Sequence, residues 1–223
     1  MRRMGTLFIS LCIVSFPGTS SHGQPEQFAI YGRIVALRGD VGDTRAQSGL
    51  NATPQTDVRL ITIKLHLPKD RGQPNLVAYP NAGGSFTFTN LTKDSYLLEA
   101  SLGDQLLYQR VLKVESNTLL TIPVGDVRLI DKITVAQRTK SSLTGPEFQG
   151  RIVIRVGNIK RAMQPDQGSF HLSIDQGKQR IFNGTLSPPT LVAPFSYNNQ
   201  KYFLVGAVRT ASGEDFFDCE VYR

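Results

Sequence analysis

The stretch GGSFTFTNLTKDSYLLEA, residues 83–100, contains two runs in which apolar and polar residues alternate. In the first run Phe86 and Phe88 alternate with threonines, and the second run spans residues 96–100. Successive side chains of a β-strand point to opposite faces, so each run predicts a strand with one buried face. The polar residues 92–95 predict a turn between them, and we therefore expect a β-hairpin with both phenylalanines in the core.

The rest of the chain repeats the period of two and shows no helical period. Strands are predicted at 28–37, 58–67, 76–79, 105–114, 118–124 and 127–135, and then at 150–156, 169–174, 180–186, 202–209 and 216–222. Long segments rich in turn residues separate some of them, at 38–57 and 68–74. Many short strands without helices predict an all-β fold built from packed sheets.

The pattern G-x-F-x-F-x-x-L-x(4)-Y-x-L-x-A in the opening stretch resembles the central hairpin of carboxypeptidase regulatory-like (prealbumin-like, transthyretin-type) β-sandwich domains. The resemblance covers about residues 28–124. It implies a prealbumin-like β-sandwich that serves as an accessory module and carries no chemistry of its own. No family is suggested for residues 150–223.

These observations predict four segments. A signal peptide at 1–23 is followed by the regulatory-like sandwich at 24–136 and by a linker at 137–147, which has no periodicity. Residues 148–223 form a second small all-β unit. A unit of that size is marginally stable alone, so we expect it to pack on the first.

The N-terminus predicts export. Two arginines precede an apolar run at 6–16, which is too short to cross a bilayer, and helix breakers and small residues follow at 17–23. This is the pattern of a signal peptide cleaved before Gln24. We expect a secreted or periplasmic protein, with no transmembrane segment in the mature chain.

The formal net charge of the chain is +7 at pH 7, and its basic residues are scattered among the predicted strands. A mild excess of basic residues favours contact with anionic surfaces such as cell-envelope polymers. No basic stripe is interleaved with aromatic residues, which argues against nucleic acid as a partner. The partners expected are a protein or a cell-envelope polymer.

The last predicted strand carries the one cysteine of the mature chain. Cys219 shares a face with Phe217 and Val221, so we expect it to be buried and unpaired. Asp218 and Glu220 alternate with these apolar residues. The alternation predicts a solvated face for the two carboxylates and not a catalytic pair.

No constellation of residues predicts catalysis. His66 and His171 each lack a second metal ligand at a suitable spacing, and Ser85 and Ser169 open predicted strands without a nucleophile elbow. We therefore expect no catalytic residues, no metal site and no cofactor. The tripeptide at 38–40 spells Arg-Gly-Asp, for which a chance match is the better interpretation.

Two functions remain open. The first is a non-catalytic, exported binding or interaction module. The alternative is a carbohydrate-binding module, with a site in the predicted loop 194–201, where Tyr197 would stack on a sugar ring and the amides of Asn198, Asn199 and Gln200 would bind its hydroxyls. The chain has no tryptophan, so tyrosines such as Tyr79, Tyr197 and Tyr202 would have to supply the aromatic faces.

Overall fold

The computed structural model describes residues 26–37, 57–67, 76–160, 169–187 and 190–223. The predicted signal peptide, the tripeptide at 38–40 and the predicted loop at 68–74 lie outside these residues. Within them the chain forms β-strands and a single 3-10 turn at Val58–Leu60, which confirms the all-β prediction. The strands are β1 (Phe28–Ala36), β2 (Ile61–His66), β3 (Leu76–Ala78), β4 (Ser85–Leu91), β5 (Asp94–Leu102), β6 (Gln105–Val114), β7 (Thr118–Val124), β8 (Leu129–Ala136), β9 (Lys140–Ser142), β10 (Ile152–Lys160), β11 (Ser169–Gln176), β12 (Gln179–Leu186), β13 (Val192–Tyr197), β14 (Gln200–Ala211) and β15 (Glu214–Tyr222).

The strands form three sheets. Sheet A has the order β4-β1-β7-β14-β15-β8, and β13 pairs with the first half of β14. Sheet B has the order β3-β2-β5-β6, and sheet C has the order β12-β11-β10-β9. The pairing of β1 with β7 is parallel, whereas the other pairs of named strands among the described residues are antiparallel.

Sheets B and C pack on opposite faces of sheet A. Neighbouring residues of β14 show this, because Ala207 lies in the core that contains Leu98 of sheet B, whereas Val208 lies in the core that contains Leu172 of sheet C. Successive residues of a strand face opposite ways. The apolar residues on both faces of β14 are therefore buried, and the fold has three layers.

The stretch at 83–100 forms two strands as predicted, but the predicted hairpin is wrong. Strand β4 pairs with β1 in sheet A, whereas β5 pairs with β2 and β6 in sheet B. The chain crosses between the sheets at residues 92–93, after Leu91 has paired with Phe28 of β1. Asn90, just before this crossing, has a φ of 59°. Phe86, Phe88 and Tyr96 still share one core, because the inner faces of both strands point to the space between the sheets. Alternation with a polar turn does not distinguish this crossing from a hairpin.

The second part of the chain is built into the same large sheet as the first. Strand β7 pairs with β14, and β8 pairs with β15, so sheet A contains strands from both predicted units. Within the predicted linker at 137–147, residues 140–142 form β9, and Leu143 is fully buried in the core under sheet C. The division into domains stays a prediction, and the described strands on its two sides are joined by backbone hydrogen bonds.

The prediction that Cys219 is buried and unpaired is confirmed. The cysteine is free and 1% exposed, and it packs in the core between sheets A and C. Burial raises the pKa of its thiol well above the ordinary value, because the charged thiolate is poorly solvated in an apolar core.

This environment predicts slow chemistry at Cys219. The thiolate is the reactive form, so a thiol reagent should label the native protein slowly and the urea-unfolded protein rapidly. The rate of labelling, followed by the absorbance of the released chromophore, measures the difference. Fast labelling of the native protein would mean that the last strand does not hold the cysteine in the core.

A groove between two edge strands as the candidate functional site

The candidate site is a groove of about 560 Å³ between sheet B and sheet A. Among the described pairings, β6 bonds only to β5 and β8 bonds only to β15, so each is the last strand of its sheet. Residues 109–113 of β6 line one side, and residues 132–134 of β8 line the other. Its volume lies within the range of about 300–1,000 Å³ that is usual for binding sites.

The groove follows the backbone edge of β6. Side chains of a strand alternate between faces, so a surface that touches only one face meets every second residue. This groove meets five successive residues, 109–113, and three successive residues of β8. It therefore runs along the strand edges, and Ala207, Arg209 and Asp218 of β14 and β15 contribute to its lining.

A buried carboxylate lies next to this groove. Glu220 of β15 is 2% exposed and accepts hydrogen bonds at its Oε2 atom from Tyr108 (2.9 Å) and Tyr222 (2.8 Å). Its Oε1 atom lies 3.0 Å from the Nζ atom of Lys132, and Arg110 Nη1 lies 3.7 Å from Oε2. Sheet B thus supplies a tyrosine and an arginine to a carboxylate of sheet A, and this network ties the two sheets together.

The charges around Glu220 set its ionisation. Burial alone raises the pKa of a carboxyl, but Arg110, Lys132 and the hydroxyl of Tyr222 outweigh burial and hold the pKa of Glu220 below its ordinary value. Burial and the neighbouring carboxylate raise the pKa of Tyr222, which keeps its hydroxyl protonated as a donor. Glu220 is therefore ionised at neutral pH and fully engaged.

The second carboxylate at the groove is also engaged. Asp218 accepts a hydrogen bond from the hydroxyl of Thr134 (2.7 Å) and another from Nε of Arg209 (2.7 Å). Arg209 also lies 3.9 Å from Glu115. Asp218 is thus satisfied by two groups and Glu220 by three close ones, whereas the arginines and lysines have several N–H donors each. The groove is consequently lined by cationic groups that have more N–H donors than these carboxylates use.

The prediction that Asp218 and Glu220 lie on a solvated face is wrong. Alternation correctly places them opposite Cys219, but sheet B covers that opposite face with β6. Tyr108, which donates to Glu220 from β6, is 112 residues away from it in sequence. The sequence of the last strand alone could not predict that β6, so distant in sequence, packs over these carboxylates.

The predicted glycan-binding residues occupy a tight hairpin and not a long loop. Tyr197 ends β13 and Gln200 begins β14, while Asn198 and Asn199 form the two-residue turn with φ values of 49° and 58°. Asparagine tolerates positive φ, which explains the Asn-Asn pair through turn geometry. Asn198, Asn199 and Gln200 are all exposed.

The expectation that Tyr197 offers a face for stacking is wrong. Tyr197 is 3% exposed, and its ring centroid lies 5.7 Å from that of Phe148 in the core under sheet C. Tyr202 is also buried in that core, whereas Tyr79 is 69% exposed. Binding of a glycan by the turn amides stays a prediction, without support from an aromatic platform at Tyr197.

His66 and His171 each make a polar contact with a residue of a neighbouring strand. Nε2 of His66 lies 3.0 Å from a carboxylate oxygen of Glu99 on the neighbouring strand, and Nε2 of His171 lies 2.8 Å from the amide oxygen of Asn183. Among the described residues no group of three or more histidine, cysteine or acidic side chains is placed to hold a metal ion. In this part of the chain no helix has the length and apolar character needed to span a membrane.

Comparisons with known proteins identify no family. No protein-family model matches the chain, and no curated protein matches it significantly. Among solved structures, a DUF3823 family protein from Parabacteroides merdae ATCC 43184, known from a crystal structure at 1.80 Å resolution, aligns with 89% of this chain and 99% of its own. The sequence identity is 11% and the TM-score is 0.31, values at which the similarity carries no argument about function.

Proposed function

We propose that the protein is an exported, non-catalytic β-sandwich protein that acts as a binding or interaction module at the cell envelope or outside the cell. The observation that carries this proposal is the groove between β6 and β8, which exposes strand edges beside cationic side chains. Strand edges and charged clefts are surfaces through which proteins bind partners. The proposal includes export, on the evidence of the N-terminal sequence pattern.

The proposal also takes the first part of the chain as a carboxypeptidase regulatory-like domain. In support, β1–β7 contribute to two sheets that face each other across one core, as in a β-sandwich. Phe86, Phe88, Tyr96, Leu98 and Ala100, which belong to the family-like pattern, are all buried in that core. An accessory module of this kind acts through its surface and needs no catalytic group.

The alternative, a carbohydrate-binding module, has less support. Sugar sites stack their ligands on exposed aromatic rings, and none of the described residues that line the groove is aromatic. Cationic side chains line the groove instead, which favours an anionic partner over a neutral glycan.

A pull-down from envelope extract tests the proposal. The immobilised mature chain should capture a partner, and the charge reversal Lys113→Glu at the groove should reduce the capture. Lys178→Glu is the matched control, because Lys178 is an exposed lysine in the turn between β11 and β12, away from the groove. Equal capture by wild type and Lys113→Glu would reject the groove as the binding surface, and no capture at all would reject the interaction role.

Export has a separate test. Mass spectrometry of the protein recovered outside the cytoplasm should show a chain that starts near Gln24. Recovery of a chain that still carries residues 1–23 would contradict cleavage there.

A further inference from the structure

We propose that the groove binds an extended acidic polypeptide segment, which adds a strand to the free edge of β6. This inference rests on the proposed function and names the partner of the same groove. The partner is identified by its chemistry: an extended backbone with carboxylate side chains. Three features of the groove lead to it, namely its course along the strand edge, its charge and its apolar lining.

The first feature is the free backbone edge of β6. This strand has ten residues and pairs with β5 from Gln105 to Val114, with one register shift between Ala100 and Ser101. On an edge strand of an antiparallel pair, alternate residues direct their N–H and C=O groups away from the partner strand. Such a row of unpaired groups is a template for another extended chain. The groove borders this edge at residues 109–113, so a strand can lie there within hydrogen-bonding reach of β6.

The second feature is the charge of the groove. Arg110 and Lys113 approach from β6, Lys132 approaches from β8, and Arg209 approaches from β14, while Asp218 is the single acidic residue in the described lining. Asp218 is held by Thr134 and Arg209 and so does not need an incoming cation. Lys113 is paired with Glu115 (3.1 Å) and Lys132 with Glu220 (3.0 Å), but both lysine side chains are more than half exposed and each ammonium group has three N–H donors. An acidic segment would therefore meet donors from both sides, whereas a basic segment would meet like charges.

The state of Arg110 strengthens this argument. Its side chain is only 13% exposed, yet its closest approach to Glu220 is 3.7 Å, which is longer than a hydrogen bond. Glu220 already accepts closer bonds from two tyrosines and Lys132. Arg110 is thus held beside the groove by Glu220 and the hydroxyl of Tyr108, and its positive charge adds to the attraction that an acidic ligand meets.

The third feature is apolar surface between the charges. Leu112, Ile133 and Ala207 contribute to the lining. Side chains of an added strand alternate in direction, so one set would point toward the floor of the groove and the other toward solvent. A segment that alternates acidic with β-branched residues matches both the charge and the apolar surface.

The experiment uses the full mature chain and a synthetic peptide of about eight residues with alternating glutamate and valine, a usual strand length. Fluorescence anisotropy of the labelled peptide measures affinity, and amide hydrogen exchange by NMR reports the mode of binding. We expect saturable binding that weakens about fivefold in Lys113→Glu and stays unchanged in Lys178→Glu, since reversing a rim charge alters affinity modestly. Alternate amides within 109–113 should become protected.

Peptide controls separate strand addition from charge attraction alone. A peptide with lysine in place of glutamate should not bind, and a version with proline in place of two central valines should bind weakly because it lacks backbone donors. Equal binding of the acidic and basic peptides, no binding of either, or binding of the acidic peptide without alternate protection of β6 amides would overturn the inference. If the inference fails in this way while the pull-down still depends on Lys113, the proposed function stands with another ligand class. Peptide binding without any captured partner would instead count against the proposed function alone.

Discussion

Replacing Glu220 by glutamine should lower the free energy of unfolding by about 3–5 kcal/mol at pH 7, the usual cost of removing one partner of a buried ion pair. The carboxylate is 2% exposed and balances Arg110, which is itself largely buried. Glutamine has nearly the same shape but no charge, so Arg110 would stay in a poorly solvated place without compensation. Urea unfolding followed by circular dichroism measures the loss, because urea does not screen charges.

The effect should depend on pH in a defined direction. The pKa of Glu220 is lower in the folded protein than its ordinary value, so the folded state favours the ionised carboxyl. Its contribution is therefore present above the unfolded-state pKa of about 4.3 and is lost as the pH falls through the lower folded-state pKa. The difference between wild type and Glu220→Gln should shrink below about pH 4, because glutamine does not titrate.

Glu214→Gln is the matched control, since Glu214 lies on the same strand and is exposed. Its effect should stay within about 0.5 kcal/mol, as for most surface substitutions. If Glu220→Gln were equally mild at pH 7, the carboxylate would not be the charge that joins sheet B to sheet A.

Truncating Phe86 to alanine should cost about 3–5 kcal/mol, a large share of the stability of a domain of this kind. Phe86 lies in the core between sheets A and B, edge-on to Phe88 at a centroid distance of 5.9 Å. Its ring also covers Gly32 on the paired strand β1, where a Cβ atom would overlap the ring. Because Gly32 has no side chain, the ring of Phe86 can occupy the space above it.

This contact predicts strong coupling between the two positions. Gly32→Ala should cost about 1–3 kcal/mol in the wild type, because the added methyl group displaces the Phe86 ring. In the Phe86→Ala background the same change should cost much less, since the ring is gone. Phe88→Ala is the matched control, because it removes a ring from the same core and leaves Phe86 over Gly32. Additive costs for Gly32→Ala and Phe86→Ala would show that the ring does not lie over the glycine.

Much of the candidate site lay beyond sequence analysis. Alternation in β15 separates Asp218 and Glu220 from Cys219, and the structure confirms that separation. Alternation cannot predict which sheet, if any, packs on the polar face of the strand. A carboxylate on the outer face of a two-layer sandwich is solvated, whereas the same carboxylate under a third sheet must have partners. Those partners, Tyr108 and Arg110, belong to β6, and no pattern in the sequence around residue 220 predicts contact with that strand.

Local pattern determined that this chain is all-β, where most of its strands lie and which residues of each strand face a core. It could do so because the alternation of side chains is a property of one strand and needs no neighbour. Tertiary structure alone decided how strands pair: β4 and β5 enter different sheets, and β14 joins β7. The groove between β6 and β8 exists only because sheet B lies across sheet A. Hydrogen bonds between strands that are distant in sequence produce no periodic pattern from which their pairing could be predicted.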